Sequence, residues 1–239
     1  MFLKKTFYYP LTVIYYLAFG LILIIFHLVQ VFSFRLLGYA SHKKSVDWLN
    51  FFLLRCLNIL GTSFEFSNSF KMPENGPLII VSNHQSTYDI PPIIWYFRKY
   101  HPKFISKSSL GKGIPSISFN LRHGGSVLID RENTALAIKK IKAFGEQVQK
   151  NRWAAVIFPE GTRTTFKDQP DLKPGIYSMY KSLNKPVVPI ALNSGKFWPK
   201  NNQIHKGSIK VEFKQPIPPG LSKQEFLNKL KLELNSLNH

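Results

Sequence analysis

The hydrophobic positions of this chain follow two regimes. Residues 11–34 are almost continuously apolar, interrupted by His27 and Gln30, and a helix of that length rises far enough to cross the roughly 30 Å hydrocarbon core of a bilayer. The run is too long for a signal peptide and no A-x-A-like site follows it. Residues 46–60 carry a second helical pattern, in which Asp47, Asn50, Arg55 and Asn58 share one stripe while Trp48, Leu49, Phe52, Leu53, Leu57 and Leu60 fill the rest. The pattern fits a helix lying in a membrane interface with a narrow polar face; it also fits a core helix packed on a domain. Taken with the preceding run, residues 1–62 read as an N-terminal two-helix membrane anchor.

Beyond Gly61 the apolar runs become short: 77–82, 104–106, 125–130, 154–158, 186–190 and 208–213. Because they are continuous rather than alternating, they predict strands covered on both faces. Helical stretches fall between them. One begins near Asp89, where Pro91 and Pro92 are tolerable only in a first turn. A second covers 134–150, with Asn133 as its N-cap, and a third follows Pro174. The last starts at Ser222, with Glu225 three residues on as a capping box. Strand–helix alternation predicts an α/β domain over 63–239, with a mainly parallel central sheet flanked by helices.

Charge narrows the partners. Lys and Arg total 32 against 13 Asp and Glu, a net charge of +19, which calls for an anionic partner. The basic residues are scattered, with no Walker-type loop, and a lone cysteine, Cys56, allows neither an intramolecular disulfide nor a Cys-pair zinc site. Cys56 lies in an apolar stretch, where a thiol acts as a small buried hydrophobe. With 14% aromatic residues and the anchor, the expected partner is an anionic phospholipid membrane and not nucleic acid. Lys4 and Lys5 precede the apolar run, and Arg35, Lys43 and Lys44 follow it. The positive-inside rule therefore has no asymmetry to use: the helix either spans, or dips in and leaves both ends on the cytoplasmic side.

Three candidate loops carry the chemistry. In Asn83-His84-Gln85-Ser86-Thr87-Tyr88-Asp89, His84 lies in the turn after a strand and Asp89 near a helix start. If the loop folds back, Asp89 accepts a hydrogen bond from the imidazole, fixes its tautomer and balances the imidazolium that forms when the other nitrogen takes a proton. That is the equipment of a general base acting on a hydroxyl; the alternative is a structural histidine beside an N-cap aspartate. Phe158-Pro159-Glu160-Gly161-Thr162-Arg163 follows another strand, and 125–131 is a strand ending in Asp130-Arg131. If these strands are parallel, their loops open on one sheet edge, where α/β folds bind ligands. Arg131 and Arg163 would there suit a phosphate, joined by Lys107 after the 104–106 strand; the alternative is solvated strand-end charge. Gly161 permits a tight turn after Glu160, whose carboxylate would brace the loops. Ser82 and Ser86 lie near His84, but neither sits in a G-x-S-x-G elbow.

These residues resemble a family. The 83–89 segment resembles the NHxxxxD block of the glycerolipid acyltransferases, specifically the 1-acylglycerol-3-phosphate acyltransferases. The 125–131 segment is similar to their second block, 158–163 matches their FPEGTR block, and Val188-Pro189-Ile190 resembles a fourth block that lines the acyl or catalytic region. The four stand in the family's order, over roughly 77–192. One position departs: the family often carries Glu two residues after the lysine matched by Lys107, and here that residue is Ser109.

The resemblance implies direct acyl transfer from acyl-CoA or an acidic acyl carrier protein, as co-substrate, to the hydroxyl of 1-acyl-sn-glycerol-3-phosphate (lysophosphatidic acid), giving phosphatidic acid with no cofactor or metal. His84 and Asp89 are then catalytic, Arg131, Arg163 and Lys107 bind the phosphate, and Asn83, Glu160, Gly161 and Thr162 support them. The implied location is the membrane, at the cytoplasmic face of the inner (plasma) membrane. Another lysolipid or glycerol-3-phosphate as acceptor, or water in a lipid ester or thioester hydrolase, remain as alternatives.

Overall fold

The computed structural model describes residues 2–68, 70, 72, 74, 76–130, 134–200 and 204–238. Two helices open the chain, α1 (Phe2–Leu37) and α2 (Tyr39–Cys56). They are separated by Gly38 alone, whose φ of 77° lies in the left-handed region that a glycine enters without steric cost. Then come β1 (Thr62–Asn68), β2 (Leu78–Ser82), α3 (Ile90–Tyr96), β3 (Pro102–Lys107), α4 (Ile117–His123), β4 (Val127–Ile129) and α5 (Thr134–Asn151). The chain closes with β5 (Ala154–Ile157), α6 (Gly175–Leu183), β6 (Val187–Leu192), β7 (Gly207–Phe213) and α7 (Lys223–Leu234). The strands form one sheet in the order β1-β7-β6-β2-β5-β3-β4. Strands β6, β2, β5, β3 and β4 are mutually parallel, while β7 runs antiparallel to β6 and carries β1 parallel to itself. The mainly parallel α/β architecture expected from the runs is the one observed, with β1 and α4 added.

Continuous apolar runs are needed because the central strands are buried on both faces. Along β2, Leu78 and Ile80 point into a core built with Val46 of α2 and with Ile93, Ile94, Phe97 and Tyr100 on and just after α3. Ile79 and Val81 point the other way, against Phe144 and Val148 of α5, Ile176 and Met179 of α6, and Phe226 and Leu230 of α7. Register places Ile80 between Val156 of β5 and Val188 of β6. All three are fully buried, so truncating Ile80 to alanine costs about 2–5 kcal/mol.

The N-terminal helices depart from the expected anchor in two respects. Among the described residues one helix, Pro10–Leu37 within α1, is long and apolar enough to cross a membrane. Yet α1 does not stand free. Tyr15 packs edge-on against Trp198, Phe26 against Phe52 of α2, His27 accepts a hydrogen bond from the Ser116 amide at 3.2 Å, and Phe34 meets His42 and Phe119. Tyr15 to Phe34 is roughly 28 Å of helix at 1.5 Å per residue, so one flank of α1 lies along the domain. The other flank exposes Leu17, Leu21, Leu28, Phe32 and Leu36.

The second departure is in α2, whose expected polar stripe is broken. Asn50 is buried and donates to the Val46 carbonyl at 2.7 Å, while Arg55 and Asn58 are exposed. Helix α2 packs Val46 on the sheet domain and Leu49 and Leu53 against α1, and turns Trp48 and Phe52 outward. The core reading of this helix holds on the side of Val46, Leu49 and Leu53, and the opposite side is exposed.

Candidate active site

Parallel strands deliver their following loops to a single edge of the sheet. Ser82 ends β2, Ile157 ends β5 and Leu192 ends β6, and the segments after these three ends interlock. Asn83 performs the first closure. Its side chain donates to the Leu192 carbonyl at 2.7 Å and accepts from the Leu192 amide at 2.8 Å, so a side chain extends the β2–β6 pairing one step past the strand. The loop then turns at His84, and Thr87–Asp89 form one 3-10 turn capped by Ser86, whose hydroxyl accepts from the Tyr88 amide.

That turn folds Asp89 back onto His84. His84 Nδ1 lies 2.7 Å from Asp89 Oδ2. An ionised carboxylate only accepts, so Nδ1 carries the proton and Nε2 is left as the basic nitrogen. Asp89 is fully buried and accepts three further hydrogen bonds, from the amides of Gln85 (2.8 Å) and Ser86 (2.9 Å) and from the Ser194 hydroxyl (2.5 Å). The imidazole-orienting reading of Asp89 is the one realised: its carboxylate makes no capping hydrogen bond to α3, and its bond to the Ser86 amide completes the capping box of the preceding turn. The His84 ring stacks on Phe158, centroids 4.2 Å apart, and keeps 18% of its side chain exposed.

The segment after β5 holds the backbone of His84 from both sides. Glu160 accepts the His84 amide at 3.0 Å, and Thr164 donates to the His84 carbonyl through its amide (2.7 Å) and its hydroxyl (3.1 Å). Gly161, at φ 76°, closes the turn by donating its amide to the Phe158 carbonyl. Burial pushes the Glu160 carboxyl up to about 7, against the His84 amide and Thr164 hydroxyl, which favour its ionised form. Arg163 reaches back over the loop and donates to the Thr87 hydroxyl at 2.8 Å, which puts a guanidinium beside the His–Asp pair. Tyr88, inside the same loop, is fully buried; it stacks on Trp198 (4.7 Å), tilts toward Phe19 of α1 and donates its hydroxyl to the Leu53 carbonyl of α2 at 2.8 Å.

The remaining expected residues are placed unevenly. Lys107, at the end of β3, is exposed and in register with Ile129 of β4, so it sits at the same edge, two strands from the end of β2. Arg131 lies outside the described residues, as does Asn133. Thr162 is exposed and, with Phe158, Glu160 and Gly161, borders a cavity of about 630 Å³ that runs between Ile105, Ile157, Ile141 of α5 and Met179 of α6. His84 does not line this cavity, but the Phe158 ring stacked on it does. Val188, Pro189 and Ile190 are a correction. They were expected to line the site, but all three lie inside β6, buried, with Val188 and Ile190 in the sheet core. A parallel strand contributes its carboxyl end to the site and its middle to the core. What β6 brings to His84 comes after it: Ser194 on Asp89 and Gly195 on Gln85.

The fold and site thus define an α/β protein with a histidine–carboxylate pair on a strand-end loop, beside a guanidinium and an apolar cavity. The Acyltransferase family model matches residues 63–193, and the chain belongs to that family. It is similar to the 1-acyl-sn-glycerol-3-phosphate acyltransferase of Pseudomonas aeruginosa, 26% identical over 203 residues, covering 84% of this chain and 77% of that protein. It is also similar to that of Helicobacter pylori, 39% identical over 109 residues, 44% of this chain and 42% of that one. The crystal structure of the 1-acyl-sn-glycerophosphate (LPA) acyltransferase PlsC from Thermotoga maritima has the same fold, with a TM-score of 0.81 at 21% identity over 98% of this chain and 96% of that one.

Proposed function

We propose that the chain transfers a fatty acyl group from a thioester donor, acyl-CoA or acyl carrier protein, to the free hydroxyl of 1-acyl-sn-glycerol-3-phosphate, making phosphatidic acid. The observation that carries this reading is the His84–Asp89 pair at the carboxyl edge of the sheet, with Arg163 tied across the same loop. His84 Nε2 removes the hydroxyl proton as the oxygen attacks the thioester carbonyl, Asp89 holds the ring and balances the imidazolium, and the C–S bond then breaks as the imidazolium returns the proton to the departing thiolate, releasing the donor as a free thiol. Arg163, with Arg131 and Lys107, binds the acceptor phosphate, so that a group remote from the reaction positions the hydroxyl. The cavity of about 630 Å³ beside Phe158 takes an acyl chain, six of its fifteen lining residues being isoleucine. The names of the similar proteins point to the same acceptor.

The protein works at the membrane, with residues 1–62 as the membrane-binding part and 63–239 as the acyltransferase domain. A helix packed along the domain for most of its length cannot also cross a bilayer while the domain stays in water. In this reading α1 lies in one leaflet, its exposed apolar flank in lipid, and both ends remain on the cytoplasmic side. Surplus basic charge then faces anionic headgroups, each juxtamembrane Lys or Arg contributing about 1 kcal/mol.

The deciding experiment gives purified protein in detergent lysophosphatidic acid with each donor type, and identifies lipid products by mass. Phosphatidic acid formed only when donor and acceptor are both present supports the reading. Free fatty acid released equally without acceptor would make the protein a hydrolase.

A further inference from the structure

The His84 loop has a further support at the end of α7. Gln85, next to His84, is buried and uses both ends of its side chain: Oε1 accepts the Gly195 amide at 3.1 Å and Nε2 donates to Asn238 Oδ1 at 2.6 Å. Asn238 follows α7 and is only 6% exposed. Its Nδ2 donates to the Asp168 carbonyl (3.3 Å) and to Asn235 Oδ1 (2.7 Å). The Asp168 carboxylate in turn accepts the amide of Thr165, whose neighbour Thr164 makes the two hydrogen bonds to the His84 carbonyl. Asn238 therefore stands between the two segments that fix His84, linking Gln85 on one side to the 164–168 turn on the other. Space at this junction is fully used, since a Cβ on Gly195 would come within 2.9 Å of the Gln85 Cβ and 3.3 Å of the Phe166 Cβ.

We propose that Asn238 is a positioning residue for acyl transfer. Acting through Gln85, it holds the His84 loop and the 164–168 turn in the one arrangement that keeps the imidazole over Asp89. The proposal rests on the assignment of His84 as the base. Asn238 touches neither substrate nor the reacting atoms in that assignment, so its removal acts on turnover and not on acceptor binding. Catalytic geometry tolerates little displacement, and a lost pair of buried hydrogen bonds leaves Gln85 an unmet donor.

The test is a double-mutant cycle on turnover with Gln85→Ala, Asn238→Ala and the double variant, in detergent with lysophosphatidic acid and a thioester donor, and His84→Ala as reference. Asn238→Ala should lower kcat about five- to twentyfold with acceptor KM within about twofold. The double variant should be no more than about twofold worse than Gln85→Ala, because the two side chains act as one unit. Asn238→Gln, which keeps both the acceptor for Gln85 and the donor to Asp168 on a side chain one methylene longer, should show a smaller loss, again in kcat, and it carries the cycle if the alanine variant does not fold. Unchanged kcat in a folded Asn238 variant, a change confined to KM, or fully multiplicative losses in the double variant would each overturn the proposal. Activity surviving in His84→Ala would instead show that the base assignment has failed.

Discussion

The two halves of the sheet's carboxyl edge are built differently. After β2, β5 and β6 the loops are bound to one another through buried contacts: His84 is held at its amide, its carbonyl and its ring, and Asp89 accepts four hydrogen bonds with no exposed surface. After β3 the edge is open, and Lys107 projects from it into solvent beside a strand of three residues. In the proposed mechanism the difference matches two chemical tasks. Moving a proton between His84 and a bound hydroxyl requires fixed geometry, which a buried hydrogen-bond network supplies. Gripping a charged headgroup that arrives from outside requires access, and a flexible lysine supplies charge without fixing position.

The comparison can be broken experimentally. The largest effect should come from the rigid half: His84→Ala is expected to lower kcat by about 10²–10⁴-fold while sedimentation with anionic vesicles is unchanged. Activity within a few-fold of the parent would remove His84 from the mechanism. Next is Arg163→Ala, at the join of the two halves, expected to weaken acceptor use about ten- to hundredfold, read as KM for lysophosphatidic acid. An effect on donor KM alone would contradict its phosphate role. Lys107→Ala, on the open half, should raise the acceptor KM only about two- to fivefold, as suits an exposed charge; a loss as large as that of Arg163→Ala would show that the open half is ordered by substrate.

The smallest effect on turnover should be that of Glu160→Gln, whose amide oxygen still accepts the His84 amide. Its signature lies in stability instead. With the Glu160 carboxyl pushed up to about 7 by burial, the folded protein holds a proton that the unfolded chain releases near the ordinary carboxyl value of about 4.5. This contribution is fully present below about 4.5 and is lost as pH rises through about 7. Thermal midpoints should therefore fall less between pH 5 and pH 8 in Glu160→Gln than in the parent. Equal slopes would place the Glu160 carboxyl in the ordinary range.

Much of the rigid half was legible before any coordinates. The apolar runs at 77–82 and 154–158 located two strands, and the parallel-edge rule brought His84 and Arg163 to one side. The reason is physical: strands buried on both faces leave a continuous signal, and turn residues at their ends leave another. What was not legible was longer in range. Ser194, Gln85 and Asn238 are polar residues of ordinary local context, and only the fold brings them together across separations of 105 and 153 residues. The signal for Ser194 is the end of the apolar run itself: as with the other parallel strands, the residues just past the carboxyl end of β6 face the site, while Val188, Pro189 and Ile190 stay within the strand. The strand β1 escaped because its outward half is exposed and polar, and a sheet-edge strand of that kind carries no apolar run.

Tyr88 joins the loop of His84 to the two N-terminal helices, with its ring against Phe19 and its hydroxyl on the Leu53 carbonyl. It is a single residue that belongs to both, placed one position before the carboxylate that orients the imidazole. Prying the helix pair off the sheet would therefore strip the cover from a fully buried ring and pull on the 3-10 turn that contains Asp89. Amides of the loop and of α2 should lose protection against hydrogen exchange in one step, and a detergent that peels the helices away would silence the enzyme without entering its site.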